Sequence, residues 1–213
     1  MSEESNLVKG YEAAAEIALD RLLRVDPVVT AARAGVEWTG EVFRVEYLAK
    51  KYLVGLSDGF VSLDGLDVPV KPAVRSLLLQ YLAAACGKQP TGELIAFRDI
   101  PGAAGYESSF LKRAVAPLVK MFDGKPDLLV KAALTLNGEQ AAVGDVGVKI
   151  PVLPLVPVVY GIWHSDDEFA ADGVVLFDSS IKTLGSIEIA VVTAANGVYQ
   201  LINQAFLSSK TTP

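Results

Sequence analysis

The residues best able to do chemistry lie together in GIWHSDDEFA, residues 161–170. This stretch holds the only histidine of the chain, His164, one of its two tryptophans, Trp163, and the acidic run Asp166, Asp167 and Glu168. Carboxylate oxygens are the donors that hard cations select. These three, with Asp178 downstream, form a candidate set for Mg²⁺ or Ca²⁺. The spacing is not that of an EF-hand loop, and adjacent aspartates on a helix point about 100° apart, an awkward arrangement for one ion. Neutral imidazole suits iron or cobalt, so His164 is a candidate axial ligand for a tetrapyrrole metal, with Trp163 as a flat apolar wall. A local role fits the same residues. Ser165 followed by Glu168 is a capping box, and Asp166 and Asp167 would sit in the first turn, where negative charge suits the helix dipole. That reading predicts a short helix over residues 166–171, left through Asp172-Gly173.

Other chemistry-bearing patterns are absent. There is no G-x-x-x-x-G-K-S/T phosphate loop, no G-x-G-x-x-G and no G-x-S-x-G nucleophile elbow. One histidine excludes H-E-x-x-H and any multi-histidine metal site. Cys86 is the only cysteine, which excludes an internal disulfide and a four-cysteine iron–sulfur or zinc site within one chain, and fits a reducing compartment. A Cys86–His164 nucleophile–base pair has no third orienting group in view. Cys86 in LAAACG reads better as a small apolar residue at a helix end.

Composition bounds the partners. The 213 residues carry a net charge of −6, half are apolar and 21% are charged. Nucleic-acid binding needs a basic face to displace counterions, and no basic cluster exceeds AKKY at residues 49–52. The same acidity disfavours an anionic membrane surface. The start, MSEESNLVKG, is polar and unlike a signal peptide. The most apolar run, residues 150–163, is too short to span a bilayer and contains Pro151, Pro154 and Pro157. A cytoplasmic protein without nucleic-acid or membrane partners is expected.

The elements that must position these residues follow from periodicity. Residues 7–24 place Leu7, Tyr11, Ala14, Ala18 and Leu22 at helical spacing, with Pro27 read as a stop. Residues 36–63 alternate apolar and charged side chains, as in EVFRVEYL, and predict two or three antiparallel strands with one polar face. Pro72 opens a helix that Gly87 closes. GELIAF is a short strand and DIPGAAGY a loop. Helices are expected over 106–122 and 126–136, the second closed by Asn137-Gly138. VGVKIPVLPLVPVVYGIW predicts two strands with the prolines at edges or bends, and GVVLFD another strand. Residues 187–207 form a nearly all-apolar helix, central to a core or to a dimer contact. No break of composition divides the chain. The expectation is one α+β domain over 1–213, mostly antiparallel, with about five helices.

Two blocks carry a resemblance. VLPLVPVVYGIWHSDDEFAADGVVLFDSS resembles the C-terminal signature of an uncharacterised prokaryotic family, domain of unknown function 3786: a proline-flanked strand, Trp, an acidic block ending in Phe, then Leu-Phe-Asp. LLLQYLAAACGKQPTGELIAFRDIPGAAGY is similar to the middle of that family. Trp163, the acidic block, Phe169, Leu176, Phe177 and Asp178 match, as do Thr91, Gly92, Phe97, Arg98, Pro101 and Tyr106. The likeness is closest over residues 72–180. His164 departs from the pattern, and TLGSIEIA has only Glu188 where an acidic pair is usual. The family is associated with anaerobes, with neighbours in corrinoid and one-carbon metabolism, and some members carry a four-cysteine iron–sulfur segment that this chain lacks. The resemblance implies a non-enzymatic accessory protein that binds a corrinoid or other tetrapyrrole, or meets a corrinoid or iron–sulfur protein partner. Its pocket would be edged by Arg98, Tyr106, Trp163, His164 and the acidic block. The alternatives are a metal-dependent enzyme using the carboxylates of Asp166, Asp167 and Glu168, and a purely structural protein that forms a homodimer through its last helix.

Overall fold

The computed structural model describes residues 3–210, and the side chain of Leu7 lies outside the described residues, as do Met1 and Ser2 of the polar start. The chain divides into two compact units, Met1–Gln89 and Pro90–Pro213. No composition shift marks the division. The expectation of one domain over 1–213 rests on that absence of a break in composition.

The first unit begins with α1 (Glu3–Leu22), amphipathic as its spacing requires, with Ala15, Ala18, Leu19 and Leu22 buried. Pro27 does not simply end it. Asp26 accepts the Val28 N–H at 2.7 Å, and Pro27 is the first residue of α2 (Pro27–Ala34), an element that periodicity missed. A proline at this position gives up no helical hydrogen bond, so the residue that stops one helix starts the next. Five strands follow where two or three were expected: β1 (Glu37–Trp38), β2 (Val42–Tyr47), β3 (Lys50–Gly55), β4 (Val61–Leu63) and β5 (Leu66–Pro69), an antiparallel meander in that order. The extra two are two and four residues long, too short to show a period. On β2 the alternation is as expected: Phe43, Val45 and Tyr47 are buried while Arg44 and Glu46 face water. In α3 (Pro72–Ala84), Pro72 opens the helix, and Tyr81 donates from its buried hydroxyl to the Ala34 carbonyl at 2.6 Å, tying α3 to the end of α2.

The second unit holds a second antiparallel sheet. Its strands are β6 (Leu94–Ala96), β7 (Glu139–Gln140), β8 (Val146–Leu153), β9 (Val156–Trp163) and β10 (Asp172–Asp178), in the order β6-β10-β9-β8-β7. Pro151 and Pro157 face each other across the β8–β9 hairpin, and neither β7 nor β10 pairs with that end. Their missing N–H groups therefore cost no ladder bond. The helices are α4 (Glu107–Phe110), α5 (Ala116–Phe122), α6 (Pro126–Leu134) and α7 (Ile187–Lys210). Seven α-segments thus replace the expected five among the described residues. Residues 111–115 join α4 to α5 as a π-helical segment. Pro117 accounts for it: its ring meets the carbonyl four residues back and it offers no N–H, so the turn before it widens. α7 lies in the core, with Ile189, Ala194, Val198, Leu201 and Ala205 buried. It comes close to the sheet at Gly197, where an added Cβ would lie 1.9 Å from the Tyr160 hydroxyl oxygen. The architecture is α+β with two antiparallel sheets.

Candidate functional site

The stretch from Trp163 to Ala171 links β9 to β10 without a helix, which corrects the expectation of one over 166–171. Asp166, not Ser165, organises it. Asp166 Oδ1 accepts the N–H groups of Glu168 at 2.8 Å and Phe169 at 2.7 Å, and the Asp166 N–H donates to the Phe169 carbonyl at 3.0 Å. The aspartate side chain thus satisfies locally the donors that a helix would have turned inward, and the chain returns to extended structure at Asp172. These two N–H groups hold the Asp166 carboxyl below the usual carboxylate range. Ser165 is taken up elsewhere: its N–H and hydroxyl both donate to Asp123, at 3.1 and 2.8 Å. These two bonds, with a smaller contribution from His164, also lower the Asp123 carboxyl.

His164 belongs to the same clamp. Its Nδ1 accepts the Gly124 N–H at 2.9 Å and lies 3.4 Å from Asp123 Oδ1, while its own N–H donates to Asp145 at 2.9 Å. An Nδ1 that accepts carries no proton, so the proton of the neutral ring is on Nε2. That Nε2 is buried with no partner. Axial ligation would need one of these nitrogens, and Nδ1 is taken by the Gly124 N–H while Nε2 is buried. Trp163 is 43% exposed and Phe169 69%.

Asp178 lies at the opposite end of β10 from Asp172, about 20 Å along the strand. It is buried and fully engaged: Oδ1 accepts the Thr91 N–H and hydroxyl at 2.9 and 3.1 Å and the Ser180 N–H at 2.9 Å, and Oδ2 accepts the Gly92 N–H at 2.6 Å. Burial pushes the carboxyl up, but the donors Thr91, Ser180 and Gly92 together outweigh it and bring it down to about 2. The structure therefore separates Asp178 from Asp166, Asp167 and Glu168. Among the described residues, no three His, Cys, Asp or Glu side chains are placed to hold a metal ion.

Two hollows of this unit lie along the π-helical segment. One groove, of about 200 Å³, includes Phe97, Arg98, Phe110, Leu111, Val115 and Val174 in its lining. Behind it Phe97 stacks on Phe110 at 3.9 Å between ring centroids, with Phe177 tilted against both. A second hollow, of about 450 Å³, adjoins it and is lined by Leu111, Lys112, Val115, Ala116, Val119, Lys120, Ala171 and Asp172. Asp172 is the cross-strand neighbour of Trp163, so the turn of residues 166–169 ends at this hollow. Gly173 lets the helix approach: a Cβ there would lie 2.6 Å from Val119 Cγ2. Of the expected pocket residues, Arg98 is at a groove. Tyr106 and Trp163 are exposed outside both linings. The lining residues of α5 and the π-segment were missed, although Pro117 inside LKRAVAPLVKMF was a visible signal of a distorted helix.

A family model described as Domain of unknown function (DUF3786) matches residues 26–199. No curated protein and no solved structure matches this chain.

Proposed function

The chain belongs to that family of unknown function, and from this premise we propose that it is a non-enzymatic binding module of anaerobic corrinoid or iron–sulfur metabolism. Its ligand is a corrinoid or another tetrapyrrole. The observation that carries the reading is the hollow of about 450 Å³ between residues 111–120 and Ala171-Asp172. Its floor is apolar, from Leu111, Val115, Ala116 and Val119, and Lys112 and Lys120 stand at it. An apolar surface with a few placed charges is the usual form of a cofactor site. A flat macrocycle lays its face on the aliphatic side chains, and the lysines meet its anionic or amide substituents. Trp163, on the strand next to Asp172, adds apolar surface at the same end of the sheet. In this reading His164 positions the turn and is not an axial ligand, because its Nδ1 is occupied and its Nε2 is buried. Contact with a corrinoid or iron–sulfur protein would deliver or receive the ligand.

The test is an absorption titration of the purified protein with a cobalamin and, separately, with haem. A saturable band shift at stoichiometric ligand, abolished by Ala116→Trp and weakened by Lys120→Glu, supports the reading. Both substitutions are at exposed positions, so the fold is retained. No shift with either ligand overturns it.

A further inference from the structure

The groove of about 200 Å³ combines an apolar lining with two opposite charges. Phe97, Phe110 and Val115 of its lining are buried, and Leu111 is 47% exposed. The two rings are stacked on each other and held from behind by Phe177, so this apolar surface is formed before any ligand arrives. Arg98 and Glu107 line the same groove. Each charge comes with one of the rings. Arg98 follows Phe97 in the 3₁₀ turn Phe97–Asp99, and Glu107 precedes Phe110 by three positions in α4, on one face of that turn. Asp99 does not neutralise Arg98 in the printed contacts of the fold: its carboxylate accepts the Ala96 N–H at 3.0 Å and closes the turn. Arg98 and Glu107 form no ion pair with each other, and neither side chain has a hydrogen bond or ion pair among the described residues. The groove thus presents one cation and one anion, both unpartnered, beside a fixed apolar surface.

We propose that this groove binds a free α-amino acid with an apolar side chain, of the size of leucine or phenylalanine. The ligand's carboxylate bonds to Arg98, its ammonium group to Glu107, and its side chain lies on Leu111 and the Phe97–Phe110 pair. Size supports this class. An apolar cavity of about 150 Å³ takes a benzene-sized molecule, and drug-sized ligands occupy about 300 Å³ or more, so about 200 Å³ suits one such side chain with a small polar head. Charge supports it as well. A purely anionic ligand meets Glu107 and a purely cationic one meets Arg98, whereas a zwitterion gives each a charge-assisted hydrogen bond. The π-helical segment contributes Leu111 and Val115 to the lining, and single π turns inside helices recur at functional sites.

The proposal goes beyond the cofactor reading and does not rest on it. The experiment titrates the full chain with L-leucine and, separately, L-phenylalanine, followed in ¹H–¹⁵N spectra. At least one of them gives saturable shifts at millimolar concentration, centred on the amides of Arg98, Leu111 and Val174. Each end of the ligand is then removed in turn. N-acetyl-L-phenylalanine lacks the ammonium group and L-phenylalaninamide lacks the carboxylate, and each binds about tenfold more weakly than its parent; the corresponding leucine derivatives behave alike. Glycine, without the apolar side chain, does not saturate. Arg98→Gln and Glu107→Gln each weaken binding about tenfold at unchanged melting temperature, and Lys131→Gln on α6 does not. All three positions are exposed, so the variants fold. Ala116→Trp, in the other hollow, leaves the amino acid bound, so failure here and failure of the cofactor reading are told apart. Absence of saturable shifts with both amino acids overturns the proposal, and so does binding indifferent to Arg98→Gln or Glu107→Gln. Equal binding of an N-acetyl or amide derivative also overturns it, because the occupant is then the end of a peptide and not a free amino acid.

Discussion

Asp178, the last residue of β10, accepts the backbone N–H groups of Thr91 and Gly92, which lie 87 and 86 positions earlier in the chain. Both carboxylate oxygens are used, and the bond pins the turn before β6 to the end of its partner strand. Asp178 is thereby a structural carboxylate.

This bond sets an acid limit on stability. The folded-state value of about 2 lies below the ordinary 3.8. A depressed carboxyl stabilises the fold above its unfolded value and loses that contribution as pH falls toward its folded value. About 2 kcal/mol should therefore disappear between about pH 4 and pH 2. Asp178→Asn should lower stability by about 1–3 kcal/mol at neutral pH, because the amide nitrogen faces a backbone N–H, and should flatten the melting curve against pH in this window. Urea melts across the window check both.

The turn after β9 distinguishes its observed geometry from a helix cap. Ser165→Ala should cost about 0.5–1.5 kcal/mol through lost bonding to Asp123. Glu168→Gln and Glu168→Ala should both be silent in the melting temperature, because the Glu168 side chain makes no bond in the turn and only its N–H is used. Asp166→Ala should lower the melting temperature where Asp166→Asn does not. A loss in Glu168→Ala equal to that in Ser165→Ala would restore the capping box.

The approach of α7 to the sheet depends on Gly197. Gly197→Ala should destabilise by about 1–3 kcal/mol, since the methyl group meets the buried Tyr160 hydroxyl, itself bonded to the Ala194 carbonyl at 3.2 Å. Tyr160→Phe should recover part of that loss in the double variant. Denaturant melts of the four proteins give the coupling.

The β2–β3 hairpin turns on Leu48 and Ala49, with φ of 51° and 60°. Such two-residue turns normally use Asn-Gly, and Leu48 is also buried. Ala49→Gly should stabilise the protein by about 0.5–1 kcal/mol, visible as a higher midpoint in urea.

Because His164 is the only histidine, its ring signals need no assignment to a residue, and the coupling pattern tells Nδ1 from Nε2. In a long-range ¹H–¹⁵N spectrum the neutral form of the ring should be protonated on Nε2, as the Gly124 N–H bond to Nδ1 requires. Protonation on Nδ1 would mean that the 3.4 Å approach to Asp123 is the true hydrogen bond.

Much of the fold was legible because long elements carry a period. α1, α3 and the strands β2, β8, β9 and β10 follow from apolar spacing, and the prolines of the β8–β9 hairpin lie where missing donors are harmless. α2 and β1 escaped because they are short, and the proline that opens α2 also reads as a stop. Within the candidate site, residue types alone identified GIWHSDDEFA as unusual but misassigned its bonds. Ser165-to-Glu168 spacing is a cap only if nothing else competes for Ser165, and Asp123, 42 positions away, does compete.

By itself the sequence determined the α+β class, the family and the absence of a multi-histidine or multi-cysteine site, because these depend on composition, local period and motif. Only tertiary structure decided what each polar side chain serves. Asp178 is spent on Thr91 and Gly92, His164 on Gly124, and two hollows form where Pro117 widens a helix beside β10. The physical reason is that a hydrogen bond is made with whichever donor or acceptor the folded chain brings within about 3 Å, and the partners that decided this site are tens of residues away in sequence.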